Sequence, residues 1–310
     1  MELIRNEKVA ENTVELEFKV SAEEFEKALT AAFRKANKEI TVPGFRKGKA
    51  PRNVVEKMFG QEIFFNDAID AILPDAYAEA VEAAKGKDAV ILFIGLTEEF
   101  ESEGFDRRHL GIPPLHIKLV EAVSAVNENV IVALSGGSAV EMPWADKAKG
   151  ILNLVLGGEA SGSAAVDILF GDVNPSGKLA ETFPLANEDN LVAGYFPMGP
   201  RTVEYRESIF VGYRYFDTAK KAVQYPFGHG LSYTSFEYSD LKLSKKKINE
   251  GETLTISFKV KNTGTVDGAE AAQIYVSDVE STIYRPVKEL RAFKKVFLKA
   301  GEEKEVSVEQ

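Results

Sequence analysis

The stretch Ala89–Leu96 (AVILFIGL) is a continuous apolar run, and a second run of the same kind, Val130–Leu134 (VIVAL), follows it along the chain. Segments with helical periodicity, Leu115–Val126 and Glu159–Phe170, lie between and after these two runs. Strands that are apolar on both faces are typical of a parallel sheet covered by helices. These segments therefore predict an α/β sandwich with a mainly parallel sheet.

The residues before this layer predict an α+β module. Thr13–Val20 alternates apolar and polar residues, and Glu2–Val9 is placed to pair with it in a hairpin. Ser21–Glu24 forms a capping box ahead of an amphipathic helix, whose apolar residues recur at steps of three and four. Two further helices are expected over residues 53–59 and 61–84.

The residues after the α/β layer predict a β-sandwich. Thr253–Val260, Ala272–Val276 and Lys294–Leu298 are short strand patterns, and turn residues such as Asn262-Thr263-Gly264 separate them. Short strands with frequent turns are typical of immunoglobulin-like sandwiches. The chain is therefore expected to be multidomain.

Composition excludes several classes of function. With 38 basic and 48 acidic residues the net charge is −10, which argues against binding nucleic acid over the whole surface. The absence of cysteine excludes disulfides, cysteine nucleophiles and thiolate metal sites. The three histidines form no metal-binding pattern, so neither a metal nor a cofactor is expected. No apolar run approaches the roughly 20 residues that span a bilayer, and the first residues lack a signal pattern. The expectation is a cytoplasmic protein without a membrane or DNA partner.

A basic loop interrupts the first module. Gly44–Arg52 (GFRKGKAPR) carries four positive charges and no acid. Such a loop is either an incidental solvated surface or a docking site for a polyanion, and Phe45 offers a ring for stacking.

An acidic loop follows the first apolar strand. Thr97–Arg108 contains four glutamates within six positions, and ligands of open α/β sheets bind beyond the carboxyl ends of the strands. A glutamate that is partly buried there would keep its proton to a higher pH, as a general acid requires. The alternative interpretation is a solvated acidic loop.

Two smaller motifs are less specific. Ser135–Ser138 (SGGS) lacks the lysine of a phosphate-binding loop, and it is interpreted as a strand-to-helix turn. The aromatic segments Val211–Asp217 (VGYRYFD) and Pro226–Thr234 (PFGHGLSYT) either line a ligand pocket or pack in the core and at a domain interface, and the sequence does not decide between these.

The basic loop and its flanking helices resemble the ribosome-binding signature of the bacterial chaperone trigger factor, over roughly the first 84 residues. That resemblance implies contacts with a ribosomal protein and rRNA near the exit tunnel, through Phe45, Arg46, Lys47 and Lys49. The isomerase domain and the substrate-cradling arms of that family have no counterpart here.

The remaining motifs, which begin with ESEGFDR at Glu101–Arg107, resemble in their order the C-terminal half of family 3 glycoside hydrolases, the β-glucosidase group. The resemblance implies that Glu103 is the general acid/base and that the tail is a fibronectin type III-like module. It places the nucleophile, an aspartate in a Ser-Asp-Trp motif, on a preceding barrel domain. The single tryptophan, Trp144, is not in such a motif.

Together the two resemblances predict a composite chain of three truncated modules: a ribosome-binding module (1–84), a hydrolase α/β domain (85–235) and a fibronectin type III-like sandwich (236–310). The first hypothesis is that the chain is not hydrolytic alone and acts by docking. The alternative is a β-glucosidase that is active as part of a split or oligomeric enzyme, with a β-glucoside as substrate. Whether the chain is an enzyme is left open.

Overall fold

The computed structural model describes residues 2–10, 13–19, 21–65, 67–68, 78, 80–104, 107–196 and 201–310, with only the backbone described for residues 2–10, 13–19, 61 and 62. The chain forms two compact units. The first comprises Met1–Ile94, Pro113–Val132 and Trp144–Ile151, and the second comprises Gly95–Ile112, Ala133–Pro143 and Leu152–Gln310.

The first unit begins with the predicted hairpin. Strands β1 (Glu2–Ala10) and β2 (Thr13–Lys19) pair antiparallel, with Leu3 opposite Phe18. The register shifts at two points along the pair. The hairpin predicted from alternation is therefore confirmed.

Helix α1 (Ala22–Ala36) starts at the predicted capping box, in which Ser21 and Glu24 satisfy each other's backbone N–H groups. Its apolar stripe is buried against helix α2 (Arg52–Phe59) and a 3₁₀ turn at Gln61–Phe64. Phe33 and Phe64 meet edge to face with ring centroids 5.4 Å apart. Residues 80–84 are helical as expected, while most of the predicted helix between them and the 3₁₀ turn lies outside the described residues.

Three strands form the sheet of the α/β layer: β3 (Val90–Gly95), β4 (Val130–Ser135) and β5 (Gly150–Val155), in that order. Val90 N–H donates to Asn129 and Leu96 N–H donates to Ser135, so β3 and β4 advance in the same direction. Helix α3 (Pro114–Ser124) connects them, and helix α4 (Ser161–Leu169) follows β5. The predicted parallel sheet is confirmed. The last residues of all three strands belong to the second unit.

The prediction of a separate N-terminal α+β module is not supported. The first 94 residues cluster with segments of the α/β layer, not by themselves. The buried amide of Asn127, just after α3, donates to the carbonyls of Ala84 and Lys87 at 3.0 and 2.8 Å. Because buried amides need such partners, these bonds tie the end of the first segment to the layer that follows it.

The second unit ends in the predicted β-sandwich. Its strands are β8 (Phe236–Leu243), β9 (Thr255–Asn262), β10 (Gly268–Val276), β11 (Glu289–Leu298) and β12 (Glu303–Glu309), after the short strands β6 (Phe183–Pro184) and β7 (Val223–Tyr225) and helix α5 (Tyr213–Thr218). One sheet has the order β12-β9-β8 and the other pairs β10 with β11, all antiparallel. Seven buried side chains, among them Phe258 and Leu298, form the core. Among the described residues, no helix is both long and apolar enough to cross a bilayer.

Candidate active-site loop

The acidic loop starts where the carboxyl ends of β3 and β4 come closest. Leu96 N–H donates to the Ser135 carbonyl at 2.9 Å. A Cβ atom on Gly95 would lie 1.9 Å from that same carbonyl oxygen, so only glycine permits this approach. The loop therefore leaves the sheet at the edge where open α/β folds bind ligands.

Glu103 lies in a turn near the tip of the loop. Its side chain is exposed, and Gly104 follows it with φ of +94° and open space around its Cα. Residues 105 and 106 are outside the described residues. An exposed carboxylate at this edge can reach a ligand, and its assignment as the acid/base stays a prediction.

Unlike Glu103, Glu101 is bound to a neighbouring segment by a hydrogen bond. Its carboxylate accepts a hydrogen bond from Gly137 N–H at 2.8 Å, and the side chain is half-buried. A Cβ atom on Gly137 would lie 2.4 Å from this carboxylate, so the glycine makes room for it. The acidic loop is therefore anchored at Glu101, so it is not the freely solvated loop of the alternative interpretation.

Arg107 anchors the other side of the loop. Its Nη1 donates to Ser138 Oγ at 2.6 Å and to the Ala139 carbonyl at 3.0 Å. Its Nε and Nη2 are buried and have no hydrogen-bond partner within the described part of the chain. Burial lowers the pKa of this guanidinium, and three carboxylates oppose that shift, those of Glu101, Glu181 and Glu141.

Among the described residues, the carboxyl group with a raised pKa is that of Glu181, outside the acidic loop. Partial desolvation of its carboxyl group raises the pKa of Glu181, although the residue as a whole is exposed. A hydrogen bond from the Ala139 backbone and the nearby Arg107 charge oppose this rise. The sequence analysis did not single out this residue. The sequence shows only its position directly before Thr182 and Phe183, and the burial of those two residues is seen in the structure alone.

The SGGS segment does not lead into an α-helix as expected. A loop follows it, and the next helical element is a 3₁₀ turn at Ala145–Lys147. Gly136 packs against Leu96, which directly precedes the acidic loop, and Gly137 packs against Glu101 within the loop. The glycines serve this close packing.

The aromatic motifs pack at the boundary between the α/β segments and the sandwich. Tyr213 stacks on Phe227 at 4.6 Å and meets Tyr275 of β10 edge to face at 6.0 Å. The hydroxyl of Tyr213 also accepts a hydrogen bond from Leu290 N–H of β11 at 2.7 Å. Of the two interpretations left open, interface packing describes these rings.

Asn174, in the segment GDVNPSGKL, reinforces the same boundary. Its side chain donates to the Asp267 carbonyl at 2.9 Å and accepts from Ser232 Oγ and Tyr233 N–H at 2.8 and 2.9 Å. Lys178 nearby pairs with Glu270 at 3.1 Å, and both side chains are largely buried. These contacts join residues that are far apart in sequence.

The basic loop is exposed, and hydrogen bonds hold its backbone to the end of α1. The side chains of Phe45, Arg46, Lys47 and Lys49 are all exposed. Asn37, which caps α1, donates to the carbonyls of Gly48 and Ala50 at 3.3 and 3.2 Å and holds the base of the loop. Lys47 forms an exposed ion pair with Glu39 at 3.0 Å.

Elsewhere in the first unit, an open cleft of about 490 Å³ adjoins the end of α3. Charged and small residues line it, without an aromatic ring, so it lacks the apolar platform on which a sugar stacks. Within the described ranges, no group of three or more potential ligand side chains is arranged to hold a metal ion.

Two family models match the chain. The glycosyl hydrolase family 3 C-terminal domain matches residues 10–233, and the fibronectin type III-like domain matches residues 270–309. The second match lies within the β-sandwich and supports the predicted fibronectin type III-like module.

Curated relatives agree with these models. Thermostable beta-glucosidase B of Acetivibrio thermocellus is 52% identical over 242 residues, which are 78% of this chain and 32% of that protein. An exo-alpha-(1->6)-L-arabinopyranosidase of Bifidobacterium longum is 47% identical over 237 residues, 76% of this chain and 31% of that protein. The chain thus spans about a third of the length of these relatives.

A solved structure, the Bifidobacterium adolescentis GH3 beta-glucosidase, superposes with a TM-score of 0.73 at 47% identity and covers 76% of this chain and 35% of that one. The trigger factor resemblance receives no support, since the hydrolase model extends back to residue 10 and none of the proteins named here is a chaperone. The order of motifs, the parallel sheet and the sandwich agree with the family model over most of the chain. The chain belongs to glycosyl hydrolase family 3, of which it contains the C-terminal domain and a fibronectin type III-like domain.

Proposed function

We propose that the chain is the acid/base-bearing C-terminal region of a retaining β-glucosidase, with Glu103 as the general acid/base. The observation that carries this proposal is the exposed Glu103 carboxylate at the carboxyl edge of the parallel sheet, in a chain of glycosyl hydrolase family 3. The names of the relatives support β-glucosides as the substrate class. The arabinopyranosidase among them makes a second pyranoside a reasonable comparison substrate.

In this mechanism Glu103 is the proton donor of the first step and the proton acceptor of the second. It transfers its proton to the glycosidic oxygen while the bond from that oxygen to C1 breaks, and a second carboxylate forms a bond to C1. Glu103, now ionised, takes a proton from water as the water oxygen attacks C1 and the second carboxylate leaves. The two carboxyl groups of such a site lie about 5–5.5 Å apart.

The second carboxylate is proposed to come from a barrel domain. Neither Ser-Asp pair of this chain, Ser239-Asp240 or Ser277-Asp278, is followed by tryptophan. Hydrolysis is therefore proposed to need a polypeptide that provides the nucleophile, as in a split or oligomeric enzyme.

The experiment mixes this chain with the part of the Bifidobacterium adolescentis enzyme that the chain does not match, and measures hydrolysis of an aryl β-glucoside. Activity is expected from the mixture and not from either piece alone. Glu103→Gln should abolish it, because the amide has no acidic proton to transfer to the leaving oxygen. Glu98→Gln, in the same loop and also exposed, is the matched control and should retain it.

Two results would contradict this proposal. Full activity of the Glu103→Gln variant would remove the residue from the chemistry. Hydrolysis by this chain alone, lost in that variant, would show that the second carboxylate lies within these residues.

A second candidate function is docking to the ribosome through the basic loop, together with the cytoplasmic location that it requires. The observation in its favour is the exposure of Phe45, Arg46, Lys47 and Lys49 on a loop held at its base by Asn37. Cosedimentation with ribosomes should be lost in the double variant Arg46→Ala, Lys47→Ala. It should also weaken steeply with added salt, because bound counterions are released.

The matched control for docking removes two equally exposed charges of the β-sandwich, Lys246→Ala with Lys247→Ala. It should cosediment like the unaltered chain. Equal losses in both double variants would indicate non-specific attraction, and cosedimentation unaffected by the loop variant would exclude docking through this loop.

A further inference from the structure

We propose that Glu101 and Arg107 are positioning residues for Glu103, and that they act by fixing the acidic loop from both sides to the segment Gly137–Ala139. The assignment of Glu103 rests on the function proposed above. The tethers themselves are contacts of the described residues and can be tested without any activity.

The first tether lies two residues before Glu103. The Glu101 carboxylate accepts from Gly137 N–H at 2.8 Å, a charge-assisted hydrogen bond of the stronger kind. The Thr97 carbonyl accepts from Phe100 and Glu101 N–H at 2.8 and 3.0 Å, so the backbone leading to Glu101 is itself a closed turn. The carboxylate therefore connects one ordered turn to another.

The second tether lies four residues after Glu103. Arg107 Nη1 donates to Ser138 Oγ and to the Ala139 carbonyl, so one nitrogen bridges a side chain and the backbone of the same segment. The guanidinium is partly buried, and the carboxylates of Glu101, Glu181 and Glu141 oppose the effect of that burial on its charge.

A third contact joins the two arms of the loop at its base, outside the two tethers. Phe100 and His109 meet edge to face with centroids 5.9 Å apart, and His109 Nδ1 accepts from Gly111 N–H at 3.1 Å. The Phe100–His109 contact thus joins the two arms of the loop to each other, and the two tethers join both arms to the segment Gly137–Ala139. The tip that contains Glu103 and Gly104 remains exposed.

This arrangement matters because general acid catalysis depends on placing the donor within hydrogen-bond reach of the leaving oxygen. A misplacement of about 1 Å caused by a distant change can cost about a hundredfold in rate. Because the chain is tethered before and after Glu103, we expect the Glu103 carboxylate to sample fewer positions than in an untethered loop.

The first experiment measures backbone hydrogen exchange of the full chain in peptides that cover residues 97–112 and 136–142. Glu101→Ala and Arg107→Ala are each expected to speed exchange in these peptides on the order of tenfold, as each removes a tether. Ser138→Ala should have a smaller effect in the same direction, because Arg107 still donates to the Ala139 carbonyl. Glu101→Gln should restore most of the protection, because its amide oxygen still accepts from Gly137 N–H. The matched controls are Glu98→Ala and Arg108→Ala, which alter exposed neighbours of the tethers.

The second experiment uses the reconstituted mixture and two substrates. Phenyl β-glucoside has a poor leaving group that needs protonation, whereas 2,4-dinitrophenyl β-glucoside has one that does not. Tether variants should lower kcat/KM at least tenfold more for the first than for the second, because only the first depends on a well-placed acid. A variant that merely reduced the folded fraction would lower both equally.

The outcomes separate the two proposals. If the unaltered mixture is inactive, the function fails, and the exchange results alone decide whether the tethers hold the loop. The positioning role is overturned if the tether variants exchange like the controls, if Glu101→Gln exchanges like Glu101→Ala, or if an active mixture loses both substrates equally.

Discussion

Asn262 offers the sharpest test of how the β-sandwich is held to its neighbouring segments. It lies at the end of β9 and is 0% exposed. Its side-chain oxygen accepts from Thr234 Oγ1 at 2.6 Å and Gly264 N–H at 3.1 Å, and its nitrogen donates to the carbonyls of Val266 and Leu298 at 2.8 and 3.2 Å. All the hydrogen-bonding capacity of the amide is used.

Asn262→Ala removes these four bonds at once. At about 1 kcal/mol net for each bond, and with water able to replace some of the partners that are only part-buried, the expected loss is about 3–5 kcal/mol. The exposed Asn249→Ala is the control, and it should change stability by less than about 0.5 kcal/mol.

Native-state hydrogen exchange of peptides from β9 and β12 measures the opening of the sandwich itself, which a single unfolding midpoint of a multidomain chain does not. Asn262→Asp adds a second arm. It keeps both accepted bonds but turns a negative oxygen toward the two carbonyls, so its own pKa should rise in the folded state. A raised pKa of an acid means that stability is lost as pH increases through it, so this variant should be least stable near neutrality.

A loss below about 1 kcal/mol in Asn262→Ala would refute the reasoning, since four bonds of a buried amide could not then be made at native strength. An Asn262→Asp variant whose stability did not recover on acidification would contradict the electrostatic part of it.

Three further expectations follow from the site and its surroundings. Gly95→Ala should destabilise the chain by about 3 kcal/mol or more in chemical denaturation, because its Cβ would meet the Ser135 carbonyl. The control is Gly162→Ala in α4, whose Cβ would meet nothing within 4 Å and which should be neutral or slightly stabilising. Glu181→Gln should be slightly more stable than the unaltered chain at pH 7, because partial desolvation raises the pKa of Glu181 and penalises its charged form. This difference should vanish below pH of about 4, and a difference that stayed constant with pH would contradict the prediction. Burial, with a smaller effect of a nearby lysine, lowers the pKa of His229, so the unfolded chain binds the proton more readily than the folded chain. The stability of the chain should therefore fall as pH drops through about 6.5. His229→Gln should make thermal stability less dependent on pH in this range, and an unchanged dependence would exclude this contribution.

Local patterns were sufficient for most of the elements. The unbroken apolar runs became β3 and β4, and the capping box at Ser21 begins α1. Strand β5 (GILNLV) was not predicted because Asn153 interrupts its apolar run. A short strand of this kind is stabilised by its neighbour in the sheet, which local sequence does not reveal.

The trigger factor resemblance was based on a local motif, and the rest of the molecule does not support it. The basic loop does follow a capped helix and is exposed, as the motif predicts. The independence of the module was inferred from a change in sequence texture. It depends on long-range contacts, and the bonds from Asn127 to Ala84 and Lys87 connect the two sides of that change.

By itself the sequence determined the α/β layer, the sandwich and the family, and it predicted the sheet edge at which the site is proposed, because periodicity and ordered motifs are local properties. Only the tertiary structure decided that Glu101 is tethered, that Glu103 is exposed and that the raised pKa belongs to Glu181. It likewise decided that the aromatic motifs pack against the sandwich. The physical reason is that burial, hydrogen bonding and electrostatic fields depend on distances in space, and these join residues that are dozens of positions apart along the chain.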